Sequence, residues 1–229
     1  MFLYTMIKSF SKTPKSKTPK ILYFGKDRPE RTILLIAGTH GNEPAGSIYL
    51  TDQSIIEKIK DCAKDYNIKI IVIPTVNEQG FILNKRKVPD PIPWDLNRAY
   101  PKKGDQGVRK IINTYLPLIN QAQLVVDLHE AKGFRKITKR TKGSGIYSNE
   151  YGNSSTIVQK MIQNVNNIID NQDHCFVTDN LKAIPGSLRY YCTDHGIPYI
   201  LVETTRIEPI ETRLTKLDNI ITTLLSTFA

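Results

Sequence analysis

Cysteine is scarce in this chain of 229 residues, with three copies that lie far apart. They are Cys62, Cys175 and Cys192, and no two of them form a Cys-x-x-Cys pair. This pattern excludes a disulfide framework and a cysteine-based zinc module, because both use several paired cysteines. We therefore expect three free thiols in a reducing compartment.

Long apolar runs are missing as well. No run reaches the ~18 residues that suggest a membrane span, so no membrane association is expected. The N-terminal sequence MFLYTMIKSFSK lacks a sustained apolar core and a small-residue cleavage site, which predicts a cytoplasmic protein without a signal peptide. The composition, 40% apolar and 24% charged, is typical of a globular domain with a full hydrophobic core.

Acidic residues are in the minority, since 22 of them stand against 32 lysines and arginines and leave a formal net charge of +10. Part of the positive charge lies in a tandem SKTPK repeat at 11–20, and part in a basic cluster at 132–142. No nucleic-acid-binding module accompanies them, so nucleic acid is not an expected partner. A solvated tail and a solvated loop explain both stretches; alternatively, the second cluster lies near a site and attracts anionic substrates.

One stretch, ILLIAGTHGNEPAG at 33–46, is the starting point for the fold. Its apolar run is typical of a strand buried on both faces of a parallel sheet, and Pro44 suits the first turn of a helix. Similar patterns predict strands at 21–24, 32–37, 68–73, 124–128, 175–178 and 199–202. They predict helices at 44–64, 105–120, 154–171, 185–195 and 208–226.

The alternation of strands and helices predicts an α/β fold, a single domain with a mixed, mostly parallel sheet and helices on both faces. The first two strands bracket a polar turn and are expected to form a hairpin. A long connection with little periodicity lies at 75–104, and a loop of that length usually serves a function in a compact domain. We predict a basic N-terminal segment at 1–20 and one domain at 21–229.

Four chemically active side chains follow strands of this sheet. His40 and Glu43 lie on the turn after the second strand, and His129 and Glu203 follow two later strands. Ligands of open α/β sheets bind at these carboxyl ends. The two imidazoles and the Glu43 carboxylate suit a catalytic zinc, which takes three protein ligands and keeps one open position. Taken alone, His40 could equally be an ordinary turn histidine.

The order of these residues resembles the zinc carboxypeptidase superfamily. The matching positions are His40, Glu43, Arg86, the sequence DLNR at 95–98, His129 and Glu203. The stretches AGTHGNEPAG and VDLHEA are similar to the succinylglutamate desuccinylase/aspartoacylase branch. The stretches VNEQGFILNKR, DLNRAYP and IPGSLRYYC are similar to the murein peptide amidase branch, so both branches stay open.

The resemblance implies one Zn²⁺ ion, held by His40, Glu43 and His129. It also assigns Glu203 the role of general base, which takes a proton from zinc-activated water and passes it to the leaving amine. Judged by its position alone, Glu203 could otherwise be an ordinary carboxylate at a strand end.

Three further positions match residues that contact the substrate in the superfamily. The resemblance implies that Arg86 stabilises the oxyanion of the reaction. It implies that Asn97 and Arg98 hold a carboxylate of the substrate, for which the planar fork of arginine is suited. Arg86 could instead be a solvated member of a KRK run, and Arg98 part of a structural ion pair.

Some residues carry open alternatives. Asp127 shares a strand face with His129, so it either orients that ligand or is simply a buried, hydrogen-bonded carboxylate. Arg189 either gives a dicarboxylic substrate a second contact or is a solvent-facing helix residue. Peptide-cutting carboxypeptidases carry a tyrosine shortly before the Gly-Ser, whereas DNLKAIPGS has none. Tyr190 and Tyr191 follow instead, and both are expected to pack in the core.

These residues together predict a zinc-dependent amide hydrolase, carboxypeptidase-like or murein-peptide amidase-like. Its partner would be a small molecule or short peptide with a free carboxylate. The alternative is an N-acyl amino acid deacylase of the succinylglutamate desuccinylase/aspartoacylase type. A third hypothesis, from a different class, is a binding protein that keeps the fold without catalysis. No feature of the sequence favours a particular oligomeric state.

Overall fold

Six strands form one mixed sheet in the computed structural model, which describes residues 20–26, 29–89 and 93–228. The strands are β1 (Leu22–Phe24), β2 (Arg31–Ala37), β3 (Ile68–Ile73), β4 (Leu124–Ala131), β5 (Gly145–Ser148) and β6 (Tyr199–Thr205). Their order across the sheet is β1-β3-β2-β4-β6-β5. The four central strands run parallel and each edge strand runs antiparallel to its neighbour, so the predicted mostly parallel sheet is confirmed. Apart from Lys20, the predicted N-terminal segment lies outside the described residues.

Helices cover both faces of the sheet, as predicted. The described ranges contain seven α-helices: α1 (Pro44–Thr51), α2 (Gln53–Asp65), α3 (Glu78–Ile82), α4 (Gln106–Gln121), α5 (Ser154–Asn166), α6 (Leu188–Asp194) and α7 (Ile210–Ser226). Helices α1, α2, α5 and α7 share one apolar cluster with the sheet, and α4 and α6 share the other. None of the helices in these ranges is long and apolar enough to cross a bilayer. The three cysteines are free, as expected.

Strand β2 shows how one apolar run serves two cores. Ile33 and Leu35 belong to the cluster that includes α1 and α2, whereas Leu34 and Ile36 belong to the cluster that includes α4. Successive side chains of a strand point to opposite faces, so both faces of β2 are covered by apolar residues. The prediction of a doubly buried strand is therefore confirmed.

The predicted hairpin of the first two strands is wrong. β1 pairs with β3, with Leu22 opposite Val72, and β3 lies between β1 and β2. Both edges of β2 are occupied by parallel neighbours, β3 and β4, so neither edge is free for β1. The polar turn after β1 consequently connects two strands that are not neighbours.

The helix predicted at 44–64 is interrupted at Asp52. This residue is extended, with φ of −69° and ψ of 130°, and its side chain accepts a hydrogen bond from the backbone N–H of Ser54 at 2.9 Å. Within α1, Gly46 allows the helix to lie very close to the sheet, since a Cβ at this position would come within 2.9 Å of the Leu128 side chain. Asp52 thus ends α1 and caps α2.

Strands β4 and β6 are longer than predicted, so His129 and Glu203 lie within strands rather than after them. The reason is their mutual pairing, which continues beyond both residues. The strand predicted at 175–178 is wrong, because Val177 forms only an isolated bridge to Gly145. The edge of the sheet is instead occupied by β5, a strand that the sequence patterns did not predict.

The connecting segments also differ in detail. The connection at 75–104 contains α3 and a 3₁₀ turn at Leu96–Arg98, so it is not structureless. Helix α6 begins later than predicted because Gly186 adopts a φ of +84° and the Ser187 side chain caps the helix by accepting from Tyr190 N–H. Helices α5 and α7 are likewise shorter than predicted.

We predict that Asp52→Ala lowers the free energy of unfolding by about 1 kcal/mol, because it removes the acceptor that caps α2. Urea denaturation followed by circular dichroism would measure the change. Asp61→Ala, an exposed position inside the same helix, is the matched control and should change stability by less than ~0.5 kcal/mol. Equal losses in the two variants would contradict the capping role of Asp52.

Candidate functional site

The turn between β2 and α1 carries two of the predicted ligands. Gly38 opens the turn with a φ of +65°, and a Cβ there would lie 3.0 Å from the Cα of Thr75. His40 follows, and Glu43 occupies the position directly before Pro44, the first residue of α1. Both side chains are buried. The predicted turn at the carboxyl end of β2 is therefore present.

The side chains of His40, Glu43 and His129 converge on one point. The Nδ1 of His40 lies 2.9 Å from Oε1 of Glu43, and the Nδ1 of His129 lies 2.9 Å from Oε2 of Glu43. The two Nδ1 atoms are 3.1 Å apart. The structure thus brings together the three predicted ligands, which form a buried group that could hold a metal ion.

An aspartate lies behind each histidine. The Nε2 of His40 is 3.1 Å from Asp95, and the Nε2 of His129 is 3.0 Å from Asp127. An outer carboxylate of this kind accepts a hydrogen bond from Nε2–H, which keeps the proton on Nε2 and leaves Nδ1 as the ligand atom. Asp127 also accepts from the hydroxyl of Tyr199 at 2.8 Å, so it is both hydrogen-bonded and in contact with the ligand. The role of Asp95 was missed, because 55 residues separate it from His40 and no local pattern links them.

The atoms at the centre of this cluster are suited to bind a cation. With both Nε2 atoms bonded to aspartates, the two Nδ1 atoms and the Glu43 carboxylate face one another as three acceptors. Burial lowers the pKa of His129, but the nearby Asp127 and Glu43 carboxylates raise it well above its usual range. Burial raises the pKa of Glu43, but when His129 and His40 carry a proton on Nδ1, their hydrogen bonds to the carboxylate hold that pKa well below its usual range. The cluster therefore stabilises positive charge at its centre, and its residues fit a divalent metal ion.

Glu130 holds the ligand turn in place. Its backbone N–H donates to Oε2 of Glu43 at 3.1 Å. Its buried carboxylate accepts from the backbone N–H of Ala45 at 2.9 Å and from Arg213 of α7 at 2.5 Å. Glu130 is not among the grouped ligands; its contacts instead fix Glu43 and the start of α1.

Glu203 lies beside the ligands on the neighbouring strand. It is the register partner of His129 across β4 and β6, so the two side chains project from the same face of the sheet. Burial raises the pKa of Glu203 to about 7, although the charges of His129 and Lys142 act in the opposite direction. Near neutral pH, a substantial fraction of this carboxylate is able to accept a proton.

A cavity of about 540 Å³ opens onto these residues and carries an excess of positive charge. The cations that line it are Arg86, Arg98, Lys132, Arg140, Lys142, Lys182, Arg189 and Arg206. The carboxylates among its described lining residues are Glu43, Glu130 and Glu203. This balance favours an anionic ligand. The basic cluster at 132–142 therefore lies at the site, which was one of its two predicted interpretations.

The predicted oxyanion and carboxylate contacts also line the cavity. Arg86 is half-exposed and donates to Oε1 of Glu43 at 2.8 Å, so its guanidinium contacts a candidate ligand while part of the side chain remains solvated. The side-chain oxygen of Asn97 accepts from the backbone N–H of Leu188 at 3.1 Å. Arg98 donates to the carbonyl of Asn97 at 2.5 Å and forms no salt bridge with a described residue, so its expected alternative as a structural ion pair is not found.

Arg189 is buried, with 8% exposure, and the alternative of a solvent-facing helix residue is wrong. Its Nη2 donates to the carbonyl of Ser148 at 2.7 Å, whereas Nε and Nη1 have no hydrogen-bond partner among the described residues. Burial lowers the pKa of Arg189. Because α6 packs against β6, Arg189 faces the sheet and the cavity, which the short helix pattern did not reveal.

Of the two tyrosines in α6, one packs in the core as expected and the other does not. Tyr190 is 41% exposed, so its predicted packing in the core is wrong, whereas Tyr191 is buried and donates to Asn120 at 2.7 Å as a core residue. Tyr199 was not singled out from the sequence, yet it lines the cavity. Its hydroxyl donates a hydrogen bond to Asp127, the carboxylate that lies behind the candidate ligand His129.

Comparison with known proteins matches part of the chain to a family. A family model described as the succinylglutamate desuccinylase/aspartoacylase catalytic domain matches residues 29–144, half of the chain. No curated protein sequence matches the chain.

Solved structures share the fold over most of this chain. Apo cell shape determinant protein Csd4 from Helicobacter pylori is similar at a TM-score of 0.76 and 15% identity, covering 92% of this chain and 55% of Csd4. Its mDAP-bound form, described as a D,L-carboxypeptidase, gives a TM-score of 0.74 at 16% identity, covering 90% and 54%. A protein from Shewanella denitrificans OS217, provisionally described as a metallopeptidase, gives 0.69 at 14% identity, covering 100% and 89%. The chain thus spans about half the length of Csd4.

We predict that Arg213→Ala lowers the free energy of unfolding by about 3 kcal/mol, because it leaves the buried Glu130 carboxylate without its charged partner. Lys60→Ala is the matched control, since the Lys60–Glu57 pair is exposed and such pairs contribute ~0–1 kcal/mol. Chemical denaturation of both variants measures the difference. A loss below ~1 kcal/mol in Arg213→Ala would show that Glu130 does not depend on this ion pair.

Proposed function

The chain belongs to the succinylglutamate desuccinylase/aspartoacylase catalytic-domain family, and from this membership we propose that it is a zinc-dependent amide hydrolase. Its substrate is a small molecule or short peptide with a free carboxylate beside the scissile bond. One observation carries the proposal: three buried metal-ligand atoms converge beside a buried glutamate in a cationic cavity. The same ligand set and cavity would also suit a protein that binds such molecules without cutting them.

In this proposal His40, Glu43 and His129 hold one Zn²⁺ ion. When bound, zinc polarises the scissile carbonyl and acidifies the attacking water. Asp95 and Asp127 keep both imidazoles in the tautomer whose Nδ1 is the ligand atom. Two nitrogen ligands and one carboxylate favour zinc over magnesium or calcium, which prefer oxygen ligands.

Glu203 is the proposed general base. It takes a proton from the attacking water and delivers it to the leaving amine. Its place opposite His129 in the sheet register supports this role, because the base then lies next to a metal ligand. A general base works best when its pKa is near the operating pH, and burial raises the pKa of Glu203 to about 7. A bound cation would lower that pKa and enlarge the ionised fraction.

Arginines supply the remaining proposed contacts. Arg86, which lies against Glu43, is placed to stabilise negative charge that develops on the carbonyl oxygen. Arg98 binds the free carboxylate of the substrate with its planar fork. Asn97 assists it and is itself held by the backbone N–H of Leu188. Arg189, with two unpartnered nitrogens in the cavity wall, is a proposed contact for a second acidic group.

Two substrate classes fit this site. Family membership favours N-acyl amino acids, which are the substrates that the names desuccinylase and aspartoacylase describe. The shared fold with Csd4, described as a D,L-carboxypeptidase, favours short peptides as the second candidate. We give N-acyl amino acids the stronger support, because fold alone does not determine a substrate. Both classes contain an amide bond next to a free carboxylate.

We predict that the zinc-loaded protein hydrolyses N-acyl amino acids, and that replacing the free carboxylate by a carboxamide lowers kcat/KM about 100-fold, since Arg98 is then unpaired. The assay compares N-acetyl and N-succinyl amino acids with γ-glutamyl and C-terminal peptides, each beside its carboxamide. Chelation should abolish turnover and zinc should restore it. Turnover of peptides alone would replace the first substrate class by the second, and turnover of neither would overturn the proposed hydrolase.

We predict that Glu203→Gln lowers kcat by about 10²–10⁴-fold while one zinc per chain is retained, as measured by steady-state kinetics and elemental analysis. For the unaltered protein, kcat/KM should fall as the pH falls through the pKa of Glu203, because the protonated carboxyl cannot accept a proton. Glu211→Gln, at an exposed position of α7, is the control and should change neither quantity. Unchanged activity in Glu203→Gln would overturn its role as base.

A further inference from the structure

Asp127 lies fully buried behind the candidate ligand His129. One of its carboxylate oxygens, Oδ2, is bonded to Nε2 of His129 at 3.0 Å. The other oxygen, Oδ1, has no hydrogen-bond partner among the described residues. A buried carboxylate is costly unless hydrogen bonds compensate for the water that it has lost. The stability and the orientation of the Asp127 carboxylate therefore depend on the donors that reach Oδ2.

Tyr199 supplies the second donor to this oxygen. Its hydroxyl donates to Oδ2 of Asp127 at 2.8 Å. Among the side chains that the structure describes, His129 and Tyr199 are the two that bond to the Asp127 carboxylate. Since His129 is the residue to be positioned, Tyr199 is the donor that fixes the carboxylate from outside the ligand.

The sheet register explains why a tyrosine serves this purpose. Tyr199 of β6 lies opposite Val125 of β4, and Asp127 lies opposite Leu201. Because residues two apart in a strand point to the same face, Tyr199 and Asp127 are diagonal neighbours on one face of the sheet. Long aromatic side chains span such a diagonal, whereas the short side chain of serine would not.

Another buried tyrosine lies near Asp127 without bonding to it. Burial and the charge of Asp127 raise the pKa of Tyr100 well above its usual range, yet the Tyr100 hydroxyl has no hydrogen-bond partner among the described residues. Burial and the same charge also raise the pKa of Tyr199, so its hydroxyl keeps its proton and remains a donor. The bond to Asp127 is thus specific to Tyr199 and is not shared by both tyrosines.

The other outer aspartate, Asp95, is held by its own turn. Its Oδ1, which contacts His40, also accepts from the backbone N–H of Asn97 at 2.9 Å. A turn can offer such a backbone donor to a nearby aspartate. Asp127 lies in β4, whose backbone groups are used in pairing with β2 and β6. Its carboxylate therefore depends on a side chain from the neighbouring strand.

We propose that Tyr199 is a positioning residue of the metal site. Its hydroxyl holds Asp127 in place, and Asp127 in turn keeps His129 in the orientation and tautomer whose Nδ1 binds the metal ion. This inference rests on the proposed function, because it concerns the ion that the proposed hydrolase uses. Tyr199 takes no part in bond cleavage, although it lines the cavity.

Zinc affinity tests the role of Tyr199 without relying on turnover. The full metal-free chain would compete with a chromophoric chelator for Zn²⁺. Tyr199→Phe keeps the ring and removes the donor, and we expect it to raise the Kd for zinc about 10-fold, since losing an outer-shell partner of a metal ligand costs ~10–100-fold in affinity. Tyr191→Phe is the matched control, because it removes a hydroxyl that donates to Asn120 at 2.7 Å from a ring in the same apolar cluster. It should change the Kd less than ~twofold.

A double-mutant cycle shows whether the hydroxyl acts through Asp127. Asp127→Ala should by itself weaken zinc binding ~10–100-fold. Adding Tyr199→Phe to Asp127→Ala should then change the Kd less than ~twofold, because the hydroxyl no longer has a carboxylate to hold. Thermal unfolding of each metal-free variant shows whether it is folded. If Asp127→Ala does not fold, the comparison of Tyr199→Phe with Tyr191→Phe decides.

The outcomes separate this inference from the proposed function. Unchanged zinc affinity in Tyr199→Phe, equal losses in Tyr199→Phe and Tyr191→Phe, or additive effects in the cycle would each overturn the positioning role and leave the proposed hydrolase standing. Hydrolysis by the unaltered protein is measured separately. A selective loss of zinc affinity in Tyr199→Phe without any hydrolysis would support the positioning role and reject the hydrolase. Failure of the unaltered chain to bind zinc would overturn both.

Discussion

Two imidazole nitrogens and one carboxylate lie within 3.1 Å of one another in the buried centre of this protein, and each of them is an acceptor when its outer partners are satisfied. Such an arrangement is repulsive unless a proton or a metal ion lies between the three groups. The protein enforces it with further hydrogen bonds from outside. Asp95 and Asp127 fix the imidazoles, and Glu130 fixes the carboxylate. The surrounding structure therefore holds the three acceptor groups in positions that are favourable only when a cation lies between them.

The sheet explains how residues so distant in sequence reach that centre. Strands β2, β4 and β6 are consecutive neighbours and run parallel, so their carboxyl ends lie along one edge. The turn after β2 supplies His40 and Glu43, and the ends of β4 and β6 supply His129 and Glu203 in register. Buried apolar faces on both sides of the sheet hold this register, because a slip by one residue would move each side chain to the opposite face and disrupt its packing.

The cavity in front of the candidate metal ligands is lined mainly by positively charged side chains. Arginine and lysine side chains from separate segments line the cavity, and the Arg86 and Arg213 guanidinium groups already occupy two of its carboxylates. The cations that remain form no salt bridge with a described carboxylate, so the natural counter-charge is a ligand. An anionic substrate would both complete this electrostatic balance and be drawn toward the site from solution. Part of the net positive charge of the chain is thus concentrated around the cavity, where it attracts anions.

The sequence by itself determined the strand-helix alternation, the doubly buried β2 and the residues that converge at the candidate centre. These features depend on local periodicity and on side chains placed at strand ends, which short stretches encode. The tertiary structure alone decided the partner of β1, the position of β5, the link from Asp95 to His40, the burial of Arg189 and the hydrogen bond from Tyr199 to Asp127. Each of these joins segments far apart in sequence, and such contacts depend on which edges and faces the folded chain leaves free.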